Sequence, residues 1–142
     1  MTYGPATIEK NLVRGDSVVY RVTVRPPSTG DNPEPVPVNL SGAAVRFTMK
    51  FSPEDNKLQP PTPALVVKTS DDASEVEILP QTGTTKGQFL IKLQSQDTKW
   101  LPAGSYVYDV KVFPAAGGQY TVTIGKIFLK AASGAAEDLT PP

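Results

Sequence analysis

The sequence predicts an all-β fold, a single antiparallel β-sandwich of seven or eight short strands. Several segments alternate apolar and polar residues with the period of two that a half-buried strand requires. Proline-rich stretches separate these segments, and no segment has the apolar periodicity of a helix longer than about one turn. The chain has 142 residues and no cysteine, which suits one domain that buries its core without disulfides.

The first half contains one weak strand and two clear ones. Residues 7–12 alternate only in part, because Lys10 interrupts the apolar side, so we expect an irregular first strand there. Residues 17–25 alternate cleanly and place Val18, Tyr20, Val22 and Val24 on one face. The clearest amphipathic strand covers residues 43–51, where Ala43, Val45, Phe47, Met49 and Phe51 oppose Arg46, Thr48 and Lys50.

Proline-rich loops follow both clear strands. Residues 26–39 and 52–63 are rich in proline, which withholds a backbone donor and favours extended, unpaired chain. We expect the first of them to be an exposed loop or arm. After the second, short strands at residues 64–68 and 75–79 flank Asp71-Asp72, and we expect these two strands to form a hairpin.

The second half is organised around residues 89–129, which contain three strands. Phe89, Ile91 and Leu93 set the inward face of the first. Ser95 is expected to cap a single helical turn that carries Trp100 and Leu101 back over one edge of the core.

The last two strands are predicted to form a hairpin at Gly117-Gly118, because both positions tolerate positive φ. The first of these strands places Tyr106, Tyr108, Val110 and Val112 on one face. The second begins with Tyr120, Val122 and Ile124 in phase, and a bulge at Gly125 would keep its end buried. We therefore assign residues 1–130 to the β-sandwich domain and residues 131–142 to a flexible C-terminal tail.

This number and spacing of strands is typical of an immunoglobulin-like β-sandwich, with a closed barrel as the alternative. The cysteine pair around a tryptophan that marks antibody domains is missing, since the chain has no cysteine. Any immunoglobulin likeness therefore concerns the architecture only.

The composition argues against an enzyme. The chain contains neither histidine nor cysteine, so Ser-His and Cys-His nucleophile pairs and His- or Cys-ligated metal centres are excluded. Lys+Arg and Asp+Glu are both 14, which gives no sign of nucleic acid or an anionic membrane as a partner. The N-terminal ten residues do not resemble a signal peptide, and no apolar run approaches the roughly 20 residues of a membrane span. We predict no catalytic residue, no cofactor and no metal.

Four groups of residues have both a functional and a structural interpretation. Arg14-Gly15-Asp16 could be an adhesion tripeptide, but a turn before a strand is the favoured interpretation. The acidic patch of Asp71, Asp72, Glu75 and Glu77 could do glycosidase chemistry or bind calcium, but a solvated rim is favoured.

The other two groups are the aromatic residues and Asp109. Tyr106, Tyr108 and Tyr120 could bind sugar rings, but core filling is favoured, while Trp100 stays open between the core and a partner. Asp109 is unusual within a strand, and a structural role is favoured over catalysis.

Three phrases of the sequence, in this order, carry a family resemblance. They are Leu40-Ser41-Gly42-Ala43 with residues 45–50, then Asp97-Thr98 with the run LPAGSYVYDVKV at 101–112, then Gly117-Gly118 with Thr121-Val122 and residues 125–128. The chain thereby resembles, from about residue 16 to residue 130, the immunoglobulin-like β-sandwich domains of tailed-bacteriophage virion proteins. The N-terminal domain of baseplate upper proteins and related tail or fibre-attachment proteins is the particular comparison.

The resemblance implies a non-enzymatic structural protein of the virion, such as an adaptor, decoration, collar or neck, or baseplate component. Such a protein docks to other virion proteins, here through the proline-rich loops, exposed strand edges and the tail, as a symmetric homo-oligomer in the particle. Its location would be the virion, assembled in the host cytoplasm, without nucleic acid or membrane as a partner. The alternative is a glycan-binding or host-adhesion module that uses exposed aromatic residues.

Overall fold

The all-β prediction is confirmed by the computed structural model, which describes residues 6–7, 10–26, 30–31, 35–51 and 64–131, with residues 6, 7 and 51 described by their backbone only. The strands in these residues are β1 (Ala6–Thr7), β2 (Lys10–Val13), β3 (Val18–Thr23), β4 (Ala44–Phe51), β5 (Val66–Thr69), β6 (Val76–Ile78), β7 (Gln88–Leu93), β8 (Gly104–Phe113) and β9 (Tyr120–Lys130). One short helix, α1 (Ser95–Thr98), lies between β7 and β8, and a single 3-10 turn spans Gly83–Thr85.

The strands form two sheets. The larger sheet has the order β1-β9-β8-β4-β5, with β2 also paired to β9, and the smaller sheet has the order β3-β7-β6. Most pairs are antiparallel, as predicted, but β1 and β2 both run parallel to β9. The antiparallel prediction is therefore wrong at this edge. The last bond along this edge is donated by the Arg14 N–H to the carbonyl of Lys130, at 2.8 Å. After Arg14 the chain crosses to β3 in the smaller sheet. No hairpin joins β2 to β9, so the two strands are free to run parallel.

One hydrophobic core receives the inward faces of both sheets. Phe47, Met49 and Val110 enter it from the larger sheet, and Phe89 and Ile91 enter it from the smaller. The predicted alternation of these strands is confirmed. Because each buried aromatic or aliphatic side chain contributes about 1.5–3 kcal/mol, this shared core is the main source of stability.

The predicted hairpin between residues 64–68 and 75–79 is wrong. β5 pairs with β4 in the larger sheet, whereas β6 pairs with β7 in the smaller one. The turn between them is closed by bonds to the Asp72 carbonyl from the N–H groups of Glu75 and Val76, at 2.9 and 3.1 Å. The Thr69 N–H, which a hairpin could have used, donates instead to the Glu75 carboxylate at 3.0 Å. The segment is thus a crossover between sheets.

The bulge in the last strand lies at Val122, three residues before the predicted position. Val110 is opposite Thr123 and Lys111 is opposite Thr121, so Val122 is the extra residue. The shift turns Thr123 into the interior and leaves Ile124 exposed. The predicted hairpin turn is confirmed, with φ of 103° and 80° at Gly117 and Gly118.

The N-cap of α1 is Gln94, and not Ser95 as predicted. The Gln94 N–H donates to the Asp97 carboxylate at 2.6 Å, which completes a capping box. As predicted, the turn brings Leu101 into the core, and Trp100 packs partly buried against it.

The described part of the first proline-rich loop is exposed at residues 30, 31, 36 and 39, as predicted, but it is anchored to the end of β3 and is not a free arm. Pro35 is buried; its carbonyl accepts a bond from Arg25 at 2.9 Å, and the Val38 N–H donates to the Val24 carbonyl at 2.9 Å. The chain here runs beside the end of β3. Residues 27–29 and 32–34 of this loop, the predicted loop at 52–63 and residues 132–142 of the predicted tail lie outside the described residues.

Candidate functional site

Side-chain hydrogen bonds hold the corner between α1 and β8. The Tyr106 hydroxyl donates to the carbonyl of Pro102, four residues earlier, at 2.5 Å. The Gly15 N–H donates to the Thr98 hydroxyl at 3.0 Å, and Arg14 donates to the Lys99 carbonyl at 2.8 Å. These bonds tie the turn after β2 to the corner. This arrangement was not predicted from the sequence, where its signal is a tyrosine a few residues after a turn at the start of a strand.

The same contacts decide between the interpretations of Arg14-Gly15-Asp16. The Arg14 side chain is only 5% exposed, and Gly15 has a φ of +83°. A guanidinium buried against the α1 corner is not displayed for a receptor. The turn interpretation is therefore the one that the geometry supports.

The acidic residues at the crossover do not converge on one point. Glu77 pairs with Lys92 at 2.7 Å, while the Glu75 carboxylate accepts the Thr69 N–H. Asp72 accepts bonds from the side chain and the backbone of Ser74, and these bonds lower the pKa of its carboxyl. In the described part of the chain, no three such residues come together as ligands for a metal ion.

None of the four aromatic residues considered for sugar binding offers an exposed ring. Tyr106 and Tyr108 are buried in the core, as predicted. Tyr120 and Trp100 are half-buried and pack against it. The structure therefore brings these rings to the interior and assembles no platform from them.

A cavity of about 300 Å³ opens between the sheets where β3 faces β9. The Tyr20 hydroxyl and the Thr123 hydroxyl are buried beside it without a protein partner. Burial, and then the neighbouring Tyr108, raise the pKa of Tyr20, and the Lys10 ammonium lies 4.6 Å from the Tyr20 ring centroid. The described lining residues include no carboxylate.

Matched tyrosine replacements test the structural role of the corner. Tyr106→Phe removes the bond to Pro102 and is expected to lower the free energy of unfolding by about 1 kcal/mol. Tyr20→Phe removes a hydroxyl that has no protein partner and keeps the ring beside Lys10, so a change within about 0.5 kcal/mol is expected. Denaturant unfolding of both variants measures the difference, and equal losses would contradict this role for the corner.

The outer face of the larger sheet is the remaining candidate surface. Asp109 points outward there, opposite Thr48 on β4 and Ile124 on β9. On β4, β8 and β9 the outward charged residues are Arg46, Lys50, Asp109, Lys111, Lys126 and Lys130. We call this surface the basic face. The strands were predicted from the sequence, but this grouping of their outward charges was not, although the same alternation places each charge on that face.

Comparison with known proteins assigns the chain to no family. No protein-family model matches it, and no curated protein matches it either. Among the described residues, no helix has the length and apolar character needed to cross a membrane.

Proposed function

We propose that the chain is a non-enzymatic structural protein of a tailed-bacteriophage virion, an adaptor, decoration, collar or neck, or baseplate component that docks to neighbouring subunits. The observation that carries the proposal is the strand order, which agrees with the immunoglobulin-like domain that the resemblance implies. If β3, β6 and β7 are strands B, D and E, the order β3-β7-β6 is the B-E-D sheet of that fold. With β4, β5, β8 and β9 as C, C′, F and G, the larger sheet has the order G-F-C-C′.

The α1 corner supports the same proposal. In immunoglobulin-like domains a tyrosine near the start of strand F donates a hydrogen bond to the backbone a few residues upstream. Tyr106 occupies this place in β8 and makes this bond to Pro102. Tyr106 and Pro102 belong to the run at 101–112 on which the phage resemblance rests.

The arrangement of polar groups favours docking over catalysis. The Glu75 carboxylate accepts the Thr69 N–H, and the Glu77 carboxylate accepts a bond from Lys92 on β7. Without histidine the chain lacks the usual general base near neutral pH. In this proposal the partners are other virion proteins, with the chain present as a symmetric homo-oligomer in the assembled particle. The glycan-binding alternative requires exposed aromatic residues, and the four considered are buried or half-buried.

Mass spectrometry of purified particles tests the proposal. After density-gradient purification and a high-salt wash, we expect the protein to remain in the particle at a fixed copy number. That number should be a small multiple of the order of the rotational symmetry at its position in the particle. Host proteins of similar abundance in the lysate serve as the control for carry-over. Absence of the protein from washed particles would refute the virion role.

A further inference from the structure

The cavity between β3 and β9 has a volume of about 300 Å³ and largely apolar walls. Phe47 and Val110 line it from the larger sheet, and Ile91 lines it from the smaller. Protein interiors are close-packed, with few voids larger than a water molecule. The walls of a cavity this size lose packing contacts that they would otherwise make. The packing of the core alone therefore does not explain the cavity.

Two hydroxyl groups are buried at this cavity. Thr123 lines it and is only 5% exposed, and its Oγ1 atom has no hydrogen-bond partner in the part of the chain that the structure describes. The hydroxyl of Tyr20, on the other sheet, is buried in the same way. A buried hydroxyl without a partner lowers stability, and most buried polar groups are bonded. Both groups are therefore available for a hydrogen bond to an occupant of the cavity.

The bulge in β9 brings Thr123 to the cavity. Thr121 lies opposite Lys111, and Thr123 lies opposite Val110, because Val122 is the extra residue between them. In a regular strand, Val122 would lie opposite Val110, and the threonine after it would point outward. Bulges are frequent beside functional sites, where they redirect a side chain. Here the bulge adds a hydroxyl group to an apolar wall.

The charged residues at the cavity already have contacts of their own. Arg21 and Arg25 each donate a hydrogen bond to another part of the chain, at 3.1 and 2.9 Å. The Lys10 ammonium lies over the Tyr20 ring, 4.6 Å from its centroid. Tyr20 keeps its proton at neutral pH, because burial, and then the neighbouring Tyr108, raise its pKa. The polar groups offered to an occupant are therefore the two neutral hydroxyls.

We propose that the cavity binds a small, uncharged and largely apolar molecule of about one ring, whose hydroxyl or carbonyl group hydrogen-bonds to Thr123 and Tyr20. A cavity of about 150 Å³ holds benzene, and ligand pockets begin at about 300 Å³, so a substituted ring fits the volume. This inference goes beyond the proposed function and does not depend on the virion role.

Two other occupants fit the cavity less well. Each buried water needs about two to four polar partners, whereas most of the described lining side chains are apolar. A charged ligand would place its charge against apolar walls and neutral hydroxyls, which costs more than burying an uncharged group.

Three probes that share one ring test the chemistry of the site. p-Cresol carries a hydroxyl group, toluene carries no polar group, and 4-methylbenzoate carries a charge. Each is titrated into the isotope-labelled full chain, and the amide chemical shifts are followed by NMR. We expect p-cresol to bind with a Kd of about 1 mM or less, and about fivefold more tightly than either other probe. The shifted amides should lie in β3 and β9, around Tyr20 and Thr123.

Hydroxyl deletions test the two residues separately. Thr123→Val and Tyr20→Phe each remove one hydroxyl and nearly keep the shape of the side chain. Each should weaken p-cresol binding about fivefold and change toluene binding by less than about twofold. Thr121→Val is the matched control, because it makes the same change in the same strand opposite the outward Lys111. It should leave the binding of both probes unchanged, and thermal unfolding checks that every variant is folded.

Several results would overturn the inference. Failure of p-cresol to bind, or amide shifts confined to another part of the chain, would leave water as the occupant of the cavity. Equal affinity for p-cresol and toluene, or unchanged p-cresol affinity in a folded Thr123→Val or Tyr20→Phe variant, would contradict the role of the hydroxyls. Tighter binding of 4-methylbenzoate than of p-cresol would contradict the uncharged class of ligand. The virion role is tested separately, by mass spectrometry of particles.

Discussion

Gly87→Ala is expected to lower the free energy of unfolding by about 3–5 kcal/mol, from backbone strain and overpacking together. Gly87 precedes β7 and has a φ of +78°. This backbone conformation is strained for a residue that has a side chain. A Cβ atom there would lie 2.6 Å from the Cβ of Pro37 and 3.0 Å from the carbonyl oxygens of Val24 and Val38.

The surroundings of Gly87 cannot easily move away. Its carbonyl accepts the Val24 N–H at 2.8 Å, and its own N–H donates to the Gln81 side chain at 2.9 Å. That amide oxygen of Gln81 also accepts the Leu40 N–H at 2.8 Å. The glycine thus joins the end of β3, the chain at 37–40 and the start of β7 at one point.

Gly83→Ala is the matched control. Gly83 also has a positive φ, of +58°, but nothing lies within 4 Å of an added Cβ. It should therefore lose only about 1 kcal/mol, for the backbone conformation alone. Denaturant unfolding with unchanged m-values measures both losses. Equal losses in the two variants would contradict the close approach at Gly87.

Asp97→Ala is expected to lower the free energy of unfolding by about 3 kcal/mol or more, because it leaves a buried ammonium without its partner. Lys68 points inward from β5 and meets Asp97 at 2.8 Å, with only 9% and 15% of the two side chains exposed. The same carboxylate accepts the Gln94 N–H and so caps α1. One replacement therefore removes the cap and the ion pair together.

Two comparisons isolate the ion pair from the cap. Lys68→Met with Asp97→Ala removes both charges and should recover part of the loss, since no unpaired charge then remains inside. Glu77→Ala breaks the more exposed pair with Lys92, whose side chains are 26% and 42% exposed, and should cost less than about 1 kcal/mol. A loss at Asp97 no larger than that at Glu77 would contradict the buried role of this pair.

The alternation of apolar residues was sufficient to predict most of the strands. Val45, Phe47 and Met49 repeat with a period of two and are buried, because a strand between water and a core must alternate. Pairing between strands is a different question, since it depends on contacts that are distant in sequence. The Glu75 carboxylate bonds to Thr69 and helps to form a crossover, where short-range turn signals predicted a hairpin.

Local signals also misplaced two details of the last strands. The bulge was predicted at Gly125 because glycine tolerates irregular backbone, but it lies at Val122. Ser95 is a better N-cap than Gln94 by intrinsic preference, but Asp97 supplies the reciprocal bond that makes Gln94 the cap. At α1, the reciprocal bond from Asp97 thus outweighed the intrinsic preference of one residue.

Some features of the candidate site could be predicted from the sequence, and others required the pairing of the strands. The absence of histidine and cysteine follows from the sequence alone, and the tyrosines of β8 were predicted in the core, where Tyr106 and Tyr108 lie. The basic face required the register of three strands, because β4, β8 and β9 contribute its charges from distant parts of the chain. No single segment contains enough of that charge to signal a surface.

Cryo-electron microscopy of the purified particle tests the central claim most directly. The claim predicts density for this two-sheet domain in symmetric copies, each docked to a neighbouring subunit of a different kind. A particle without such density, from a preparation in which the protein is expressed and folded, would contradict the virion role.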